Sequence, residues 1–349
     1  MTEPPRIVIA AGGTAGHVVP AIAVADALRA EGADVRFAGG ERAEAELVPR
    51  AGYPLEPLRV EGISRSKPLK AARAIAKAGA ALAAARRIVR GADAVLGGGG
   101  YAAGPVGLAA VAGRIPLVLT EADSHLGLTN RMLARAARRV CLAFPIEGRT
   151  GDRYLVTGRP VPPTVTDRDG ARERFGIQPG EIVVLVFGGS LGARSINEAA
   201  VEAFAGVPYR ILHVAGRRDF ATLTAPGPHY VLRDYVEPFG AALAAADLAV
   251  ARAGGSVFEL AQYGLPAILI PYPHASGNHQ AANARWMEQA GAASVLPDEQ
   301  LTPQRLRGEV DALVADAPRR TAMAGAARRL ARPDAARVIA RQVLQAAAG

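Results

Sequence analysis

The chain has 349 residues, half of them hydrophobic and 5% aromatic, with 39 glycines, 25 prolines and a single cysteine. That is material for two cored domains, and it excludes a disordered, fibrous or disulfide-stapled protein. The net charge of +9 sits mostly in residues 62–92, where Arg65, Lys67, Lys70, Arg73, Lys77, Arg86, Arg87 and Arg90 face no acid; without interleaved aromatics this patch does not read as a nucleic-acid surface.

The first strand is expected near residues 6–11, in the apolar run Ile7-Val8-Ile9-Ala10. It runs into Ala11-Gly12-Gly13-Thr14-Ala15-Gly16-His17, and a helix near 18–31 follows, with Pro20 suited to its first turn. A buried strand, a glycine turn and a helix N-terminus form a cradle of backbone N–H groups for phosphate. His17 at the helix start is hard to explain as packing; it is the favoured general base, since its ordinary pKa suits neutral pH, and a helix cap or a diphosphate ligand is the other reading. A second strand near 34–38 ends Phe37-Ala38-Gly39-Gly40, without the acid of a dinucleotide fingerprint. The Gly-Lys-Ser/Thr phosphate loop is absent too, which disfavours NAD binding and ATP hydrolysis.

Helices are expected near 42–51 and 69–90. In the latter, Ile75, Leu82 and Val89 share a face flanked by Lys and Arg, the pattern of a helix lying on an anionic membrane surface. The competing reading is a core-facing helix with a solvated basic side. A strand near 93–97 leads to Gly97-Gly98-Gly99-Gly100-Tyr101 and a helix near 101–112. The uncharged run 94–113 carries too many glycines, and Pro105, to cross a bilayer. Strands near 116–120, 139–143 and 154–157 and a helix near 127–137 complete an alternation that means βαβ units and a parallel sheet. Cys141 reads as a core residue, and neither a leader sequence nor a disulfide is expected, which fits the cytoplasm.

Residues 158–169, with Pro160, Pro162 and Pro163, form the linker candidate. Strands near 182–187, 210–214, 229–232, 247–250, 267–270 and 293–295 restart the pattern. A second glycine loop, Gly188-Gly189-Ser190-Leu191-Gly192-Ala193, follows the first of them. Arg252 follows a later strand; Gly254-Gly255-Ser256 would open a helix toward a diphosphate, with Glu259 one turn inside to accept from ribose hydroxyls. Gln280 offers a donor and an acceptor to sugar hydroxyls. The tail from Ala317 is helical and is expected to return to the first domain.

These segments occur in a telling order: Gly12-Gly13-Thr14-Ala15-Gly16-His17, Tyr101 with Gly104-Pro105, Gly127-Leu128-Thr129-Asn130, the loop 188–193, Arg252-Ala253-Gly254 with Glu259, and His279-Gln280 with Asn283-Ala284. The set resembles the MurG family of peptidoglycan N-acetylglucosaminyltransferases across nearly the whole chain. The resemblance implies an α/β protein of the GT-B fold, two Rossmann-like parallel-sheet domains facing across a cleft. Residues 1–160 would form the acceptor and membrane-associating domain, 161–330 the UDP-sugar domain, and 331–349 a helix packing back on the first.

It further implies transfer from UDP-N-acetylglucosamine to the 4-hydroxyl of the muramoyl sugar of lipid I, an undecaprenyl-diphosphate-linked muramoyl-pentapeptide, with inversion. The site would be the cytoplasmic face of the membrane, reached peripherally through 65–90, with no nucleic acid and no cofactor or metal. Thr14, Ala15 and Gly16 would lie nearest the donor sugar and acceptor diphosphate, with Tyr101 also on substrate. Ser190 would touch the donor phosphates and Val236 would read uracil. Arg252, Gly254, Gly255, Ser256 and Glu259 would hold phosphate and ribose, and Gln280 the sugar. Asp123 stands where the family has a donor-contacting Asn, and is the second candidate for the base. The arginine expected at 162 is missing, and Arg159 is its candidate substitute; Arg252 to Glu259 is one residue shorter than the common form. The departures at 120–125 and 158–162 fall on acceptor loops, so a related GT-B transferase with another lipid or glycan acceptor stays open, as does an isomerase of the UDP-sugar 2-epimerase type.

Overall fold

The structure, a computed structural model, describes residues 3–58, 79–189 and 191–349. The chain divides into two compact units, residues 1–162 with 332–349, and residues 163–331.

The first unit holds a seven-stranded, all-parallel sheet in the order β3-β2-β1-β4-β5-β6-β7. Its strands are β1 (Arg6–Ala10), β2 (Asp34–Gly39), β3 (Leu55–Pro57), β4 (Ala94–Gly97), β5 (Leu117–Glu121), β6 (Arg139–Leu142) and β7 (Tyr154–Val156). The central strands are apolar on both faces, as a sheet covered by helices on both sides requires: Ile7, Ile9, Leu96 and Val118 are wholly buried. Burying one such side chain stabilises by about 1.5–3 kcal/mol. The strand order reverses between β1 and β4, and ligands of such sheets bind outside the carboxyl ends at that point.

Helix α1 (Ala15–Ala30) begins earlier than its sequence pattern suggests, so Pro20 lies inside it rather than in the first turn. A proline there has no N–H to give to the carbonyl four residues back, that of Gly16. The Arg159 guanidinium donates to that carbonyl instead. Helices α2 (Ala43–Arg50), α3 (described over residues 79–88), α4 (Ala103–Ala112) and α5 (Leu128–Leu133) cover the sheet.

In the α3 region the described part of the stripe follows the core-facing reading. Leu82 packs against the core and Val89 is buried in it, while Arg86, Arg87 and Arg90 are exposed. The apolar face is used by the protein, and the exposed side carries the cations together with Gly79, Ala80 and Ala83. Ile75 and the rest of 59–78 lie outside the described residues. Cys141 is buried, and burial raises its thiol pKa to about 12, which leaves it inert as a nucleophile.

The second unit repeats the plan with six parallel strands in the order β10-β9-β8-β11-β12-β13. They are β8 (Val183–Phe187), β9 (Arg210–Val214), β10 (Tyr230–Arg233), β11 (Leu248–Ala251), β12 (Ala267–Leu269) and β13 (Ala293–Val295). Helices α6 (Arg168–Arg174), α7 (Arg194–Ala203), α8 (Gly240–Ala245), α9 (Val257–Tyr263), α10 (His279–Gln289), α11 (Pro303–Ala315) and α12 (Ala317–Leu330) surround it. The helical tail breaks at Pro333, and α13 (Ala335–Ala347) belongs to the first unit, where Ile339, Ala340 and Val343 share a core with Val18, Val24 and Leu28 of α1. Two Rossmann-like sheets, each reversing order beside its first strand, are the layout of the GT-B class.

Candidate functional site

In the first unit the loops after β1, β4 and β5 meet at the reversal of strand order. Gly13 turns the first loop with φ +108. Thr14 then caps α1 in extended conformation, and its hydroxyl lies 3.3 Å from Nδ1 of His17 rather than on a backbone N–H. Gly99 lies against the imidazole: a Cβ there would sit 2.7 Å from Cδ2 of His17. Gly100, at φ +75, leaves room for the first loop, since its Cβ would sit 1.8 Å from the carbonyl oxygen of Gly12.

The β5 loop is held by a carboxylate that sequence reasoning did not single out. Glu121 accepts from the backbone N–H of Asp123 at 3.2 Å and of Gly127 at 2.8 Å, and from Nδ2 of Asn130 at 2.9 Å. Asn130 Nδ2 also donates to the carbonyl of Thr120 at 2.9 Å. These bonds place Asp123 beside His17, in a cavity of about 190 Å³ lined also by Gly98, Thr120, Leu128 and Thr129. Burial is the chief cause lowering the His17 pKa, Arg159 adds to it, and Asp123 pulls the other way. The net effect is a His17 pKa below that of an ordinary imidazole.

Tyr101 is placed differently from a substrate ligand. Its hydroxyl donates to the buried carboxylate of Glu44, which also accepts from the N–H of Gly13 at 2.8 Å and of Gly40 at 2.9 Å. Ala15, Gly16 and Arg159 stay beside His17, the last through the Gly16 carbonyl.

The second unit brings together another set. Gly189 (φ +100) and Gly192 (φ +82) shape the loop before α7, and a Cβ on Gly192 would meet the Ala215 carbonyl at 2.0 Å. Ser190 itself lies outside the described residues. Behind the loop, Asn197 of α7 donates to the Ala215 carbonyl and to Asp219, and its Oδ1 accepts from Nε2 of His213 at 2.9 Å. This buried polar network also escaped the sequence reading, because its members are scattered along the chain.

On the β11 side, Gly254, Gly255 and Ser256 lead into α9, which carries Glu259 in its first turn. Gln280 of α10 faces Gly254 and accepts from the N–H of Tyr272 at 2.9 Å. Asn283 donates to the Ala253 carbonyl at 3.0 Å, and its Oδ1 is buried without a hydrogen-bond partner among the described residues. Arg252 is turned inward: it donates to Asp298, to Ser195 Oγ at 2.8 Å and to the Ile270 carbonyl at 3.1 Å. It braces the loop from behind. Val236 is buried after β10.

Residues 7–142 match the glycosyltransferase family 28 N-terminal domain, and residues 183–339 match the glycosyltransferase family 28 C-terminal domain. The chain belongs to glycosyltransferase family 28. Its similarity to proteins of Acidithiobacillus ferrooxidans (43% identical, 98% of each chain covered) and Moorella thermoacetica (40% identical, 92% of this chain and 94% of that one) is of full length. Both are named UDP-N-acetylglucosamine--N-acetylmuramyl-(pentapeptide) pyrophosphoryl-undecaprenol N-acetylglucosamine transferase.

Among solved structures, MurG of Acinetobacter baumannii superimposes with a TM-score of 0.79 at 30% identity, covering 98% of this chain and 100% of that one. The resemblance to the MurG family read from the motifs is thereby borne out, and so are the GT-B class and the transferase activity. A UDP-GlcNAc 2-epimerase from Neisseria meningitidis shares the fold (TM-score 0.68) at 13% identity, which speaks for architecture alone.

Proposed function

We propose that this family 28 enzyme transfers N-acetylglucosamine from UDP-N-acetylglucosamine to the 4-hydroxyl of the muramoyl sugar of lipid I, giving lipid II and UDP. The observation that carries the mechanism is the placing of His17 at a cavity beside Asp123 and at a helix N-terminus, where burial and Arg159 lower its pKa. With Nδ1–H donated to Thr14 Oγ1, Nε2 keeps its lone pair for the acceptor proton. The 4-oxygen attacks the anomeric carbon from the face opposite UDP, and the bond to the diphosphate breaks with inversion. Thr14, Ala15 and Gly16 lie nearest the donor sugar and the acceptor diphosphate. Ser190, Gly254, Gly255 and Ser256 take the donor phosphates, Glu259 the ribose, Val236 the uracil and Gln280 the sugar.

Labelled sugar should pass from UDP-N-acetylglucosamine to synthetic lipid I and not to polyprenyl-phosphate acceptors lacking the muramoyl-pentapeptide. Release of the manno sugar from UDP-N-acetylglucosamine alone would instead identify an epimerase.

No helix among the described residues is long and apolar enough to cross a membrane. We place the enzyme peripherally on the cytoplasmic membrane face, where a lipid-linked acceptor is met. Exposed Arg86, Arg87 and Arg90 supply attraction to anionic lipid, at about 1 kcal/mol each near the surface. Leu108 on α4, with Leu128 and Met132 on the neighbouring α5, adds exposed apolar area; Met132 is 64% accessible. Sedimentation should show binding to anionic vesicles that high salt releases. Equal binding to neutral vesicles would assign the cations another role.

A further inference from the structure

The loops that present His17 converge on one side chain. Glu44 stands in the first turn of α2 and is wholly buried. Its carboxylate accepts from Gly13 N–H in the loop after β1, from Gly40 N–H in the loop after β2, and from the Tyr101 hydroxyl in the loop after β4. Three adjacent strands of the sheet, β2-β1-β4, thus end on a single acceptor. A carboxylate is the side chain for this task, because it only accepts and offers about four lone-pair sites.

The glycines around it are shaped to the same end. A Cβ on Gly40 would meet the Tyr101 oxygen at 2.2 Å, and one on Gly39 would meet Cγ of Glu44 at 2.8 Å. In a dinucleotide-binding sheet an acid at the end of the second strand takes the ribose. Here that strand ends in two glycines, and the acid arrives from the next helix to hold protein groups.

We propose that Glu44 is a positioning residue for the transfer step, fixing through Gly13 and Tyr101 the two loops that set the imidazole of His17 in its cavity. The path is short on both sides. Gly13 directly precedes Thr14, the cap of α1 and the partner of His17 Nδ1. Tyr101 directly follows Gly99 and Gly100, which touch the His17 ring and the Gly12 carbonyl. Displacing either loop moves the imidazole, and misplacement of a reacting group by about 1 Å can cost roughly a hundredfold in rate. The proposal rests on His17 acting as the base, and deepens that reading.

The test uses Tyr101→Phe, which loses one hydroxyl from an otherwise intact loop, alongside Glu44→Gln. With UDP-N-acetylglucosamine and synthetic lipid I, kcat should fall about tenfold for the first and about a hundredfold for the second, with the donor KM within about twofold. In a His17→Ala background neither change should cost anything further, because there is no imidazole left to place. Unchanged kcat, or the same loss in both backgrounds, would overturn the proposal. The imidazole NMR signals of the free enzyme give a readout that needs no acceptor. Of the six histidines, the one missing in His17→Ala should shift in Tyr101→Phe while the others hold; an unmoved His17 signal would equally overturn it. Should the wild-type enzyme fail to glycosylate lipid I while that signal shifts, the functional reading fails and the positioning role stands.

Discussion

Two charges of opposite sign stand beside His17, and they make its titration a test of its role. Burial and Arg159 lower its pKa, so the neutral form survives to lower pH than in a free imidazole; Asp123 works against them. A base must be neutral, so kcat should fall on the acid side as His17 takes up a proton. Arg159→Ala removes a lowering influence and should move that acid limb to higher pH. Asp123→Asn removes a raising one and should move it lower. A kcat profile over about pH 5–8 reads both; near-complete loss of activity in Asp123→Asn at every pH would make Asp123 the base instead. On the donor side, Glu259→Ala should raise the KM for UDP-N-acetylglucosamine roughly ten- to a hundredfold, the loss of a charged hydrogen bond. An unchanged KM removes Glu259 from the site.

His17 and Gln280 stand out in the sequence as polar residues beside glycine loops, and Asp123 only through the family resemblance; the structure brings His17 and Asp123 to one cavity. Glu44 and Glu121 do not stand out, since their partners are backbone N–H groups far off in sequence or hidden in the turn itself. Arg252 shows the converse: its position reads as a phosphate ligand, and only its contacts with Asp298 and Ser195 show a brace.

At the level of elements, period and punctuation carried most of the fold. The strands at the sheet centres are unbroken apolar runs, and the glycine loops mark where they stop. Strand β3 has three residues, one of them Pro57, and offers no period to detect. The start of α1 is not legible in the sequence, because Pro20 reads as a first-turn residue; a side chain from residue 159 supplies what the proline lacks, and no local pattern contains that. The stripe Leu82–Val89 was ambiguous in principle, since a helix lying on a membrane and a helix lying on a sheet need the same spacing. Gly100 marks the limit of tolerance at this scale. With φ +75 and the Gly12 carbonyl in the path of any Cβ, Gly100→Ala should cost about 1–3 kcal/mol of stability and lower kcat. Urea unfolding would measure the first; a midpoint equal to wild type would mean the two loops can part freely.

Over the whole molecule, the first unit is assembled from two separated stretches of chain, 1–162 and 332–349. Helix α13 closes its core, with Ile339 and Val343 almost fully buried against α1. Ile339→Ala should therefore destabilise that unit by about 2–5 kcal/mol, as deletion of a fully packed side chain does. A denaturant midpoint within error of wild type would show that α13 contributes little there. The same arrangement has a consequence for how the protein is made. Synthesis adds ~5–20 residues per second, so the ribosome spends on the order of ten seconds on residues 163–331 after the seven strands of the first sheet have emerged. Through that interval α1 lacks its lid, and the apolar residues that α13 will cover stay open to chaperones and proteases. A stalled nascent chain ending near residue 331 should be cleaved in its first unit much faster than one carrying α13 clear of the exit tunnel. The half of the enzyme that is translated first is the half that is finished last.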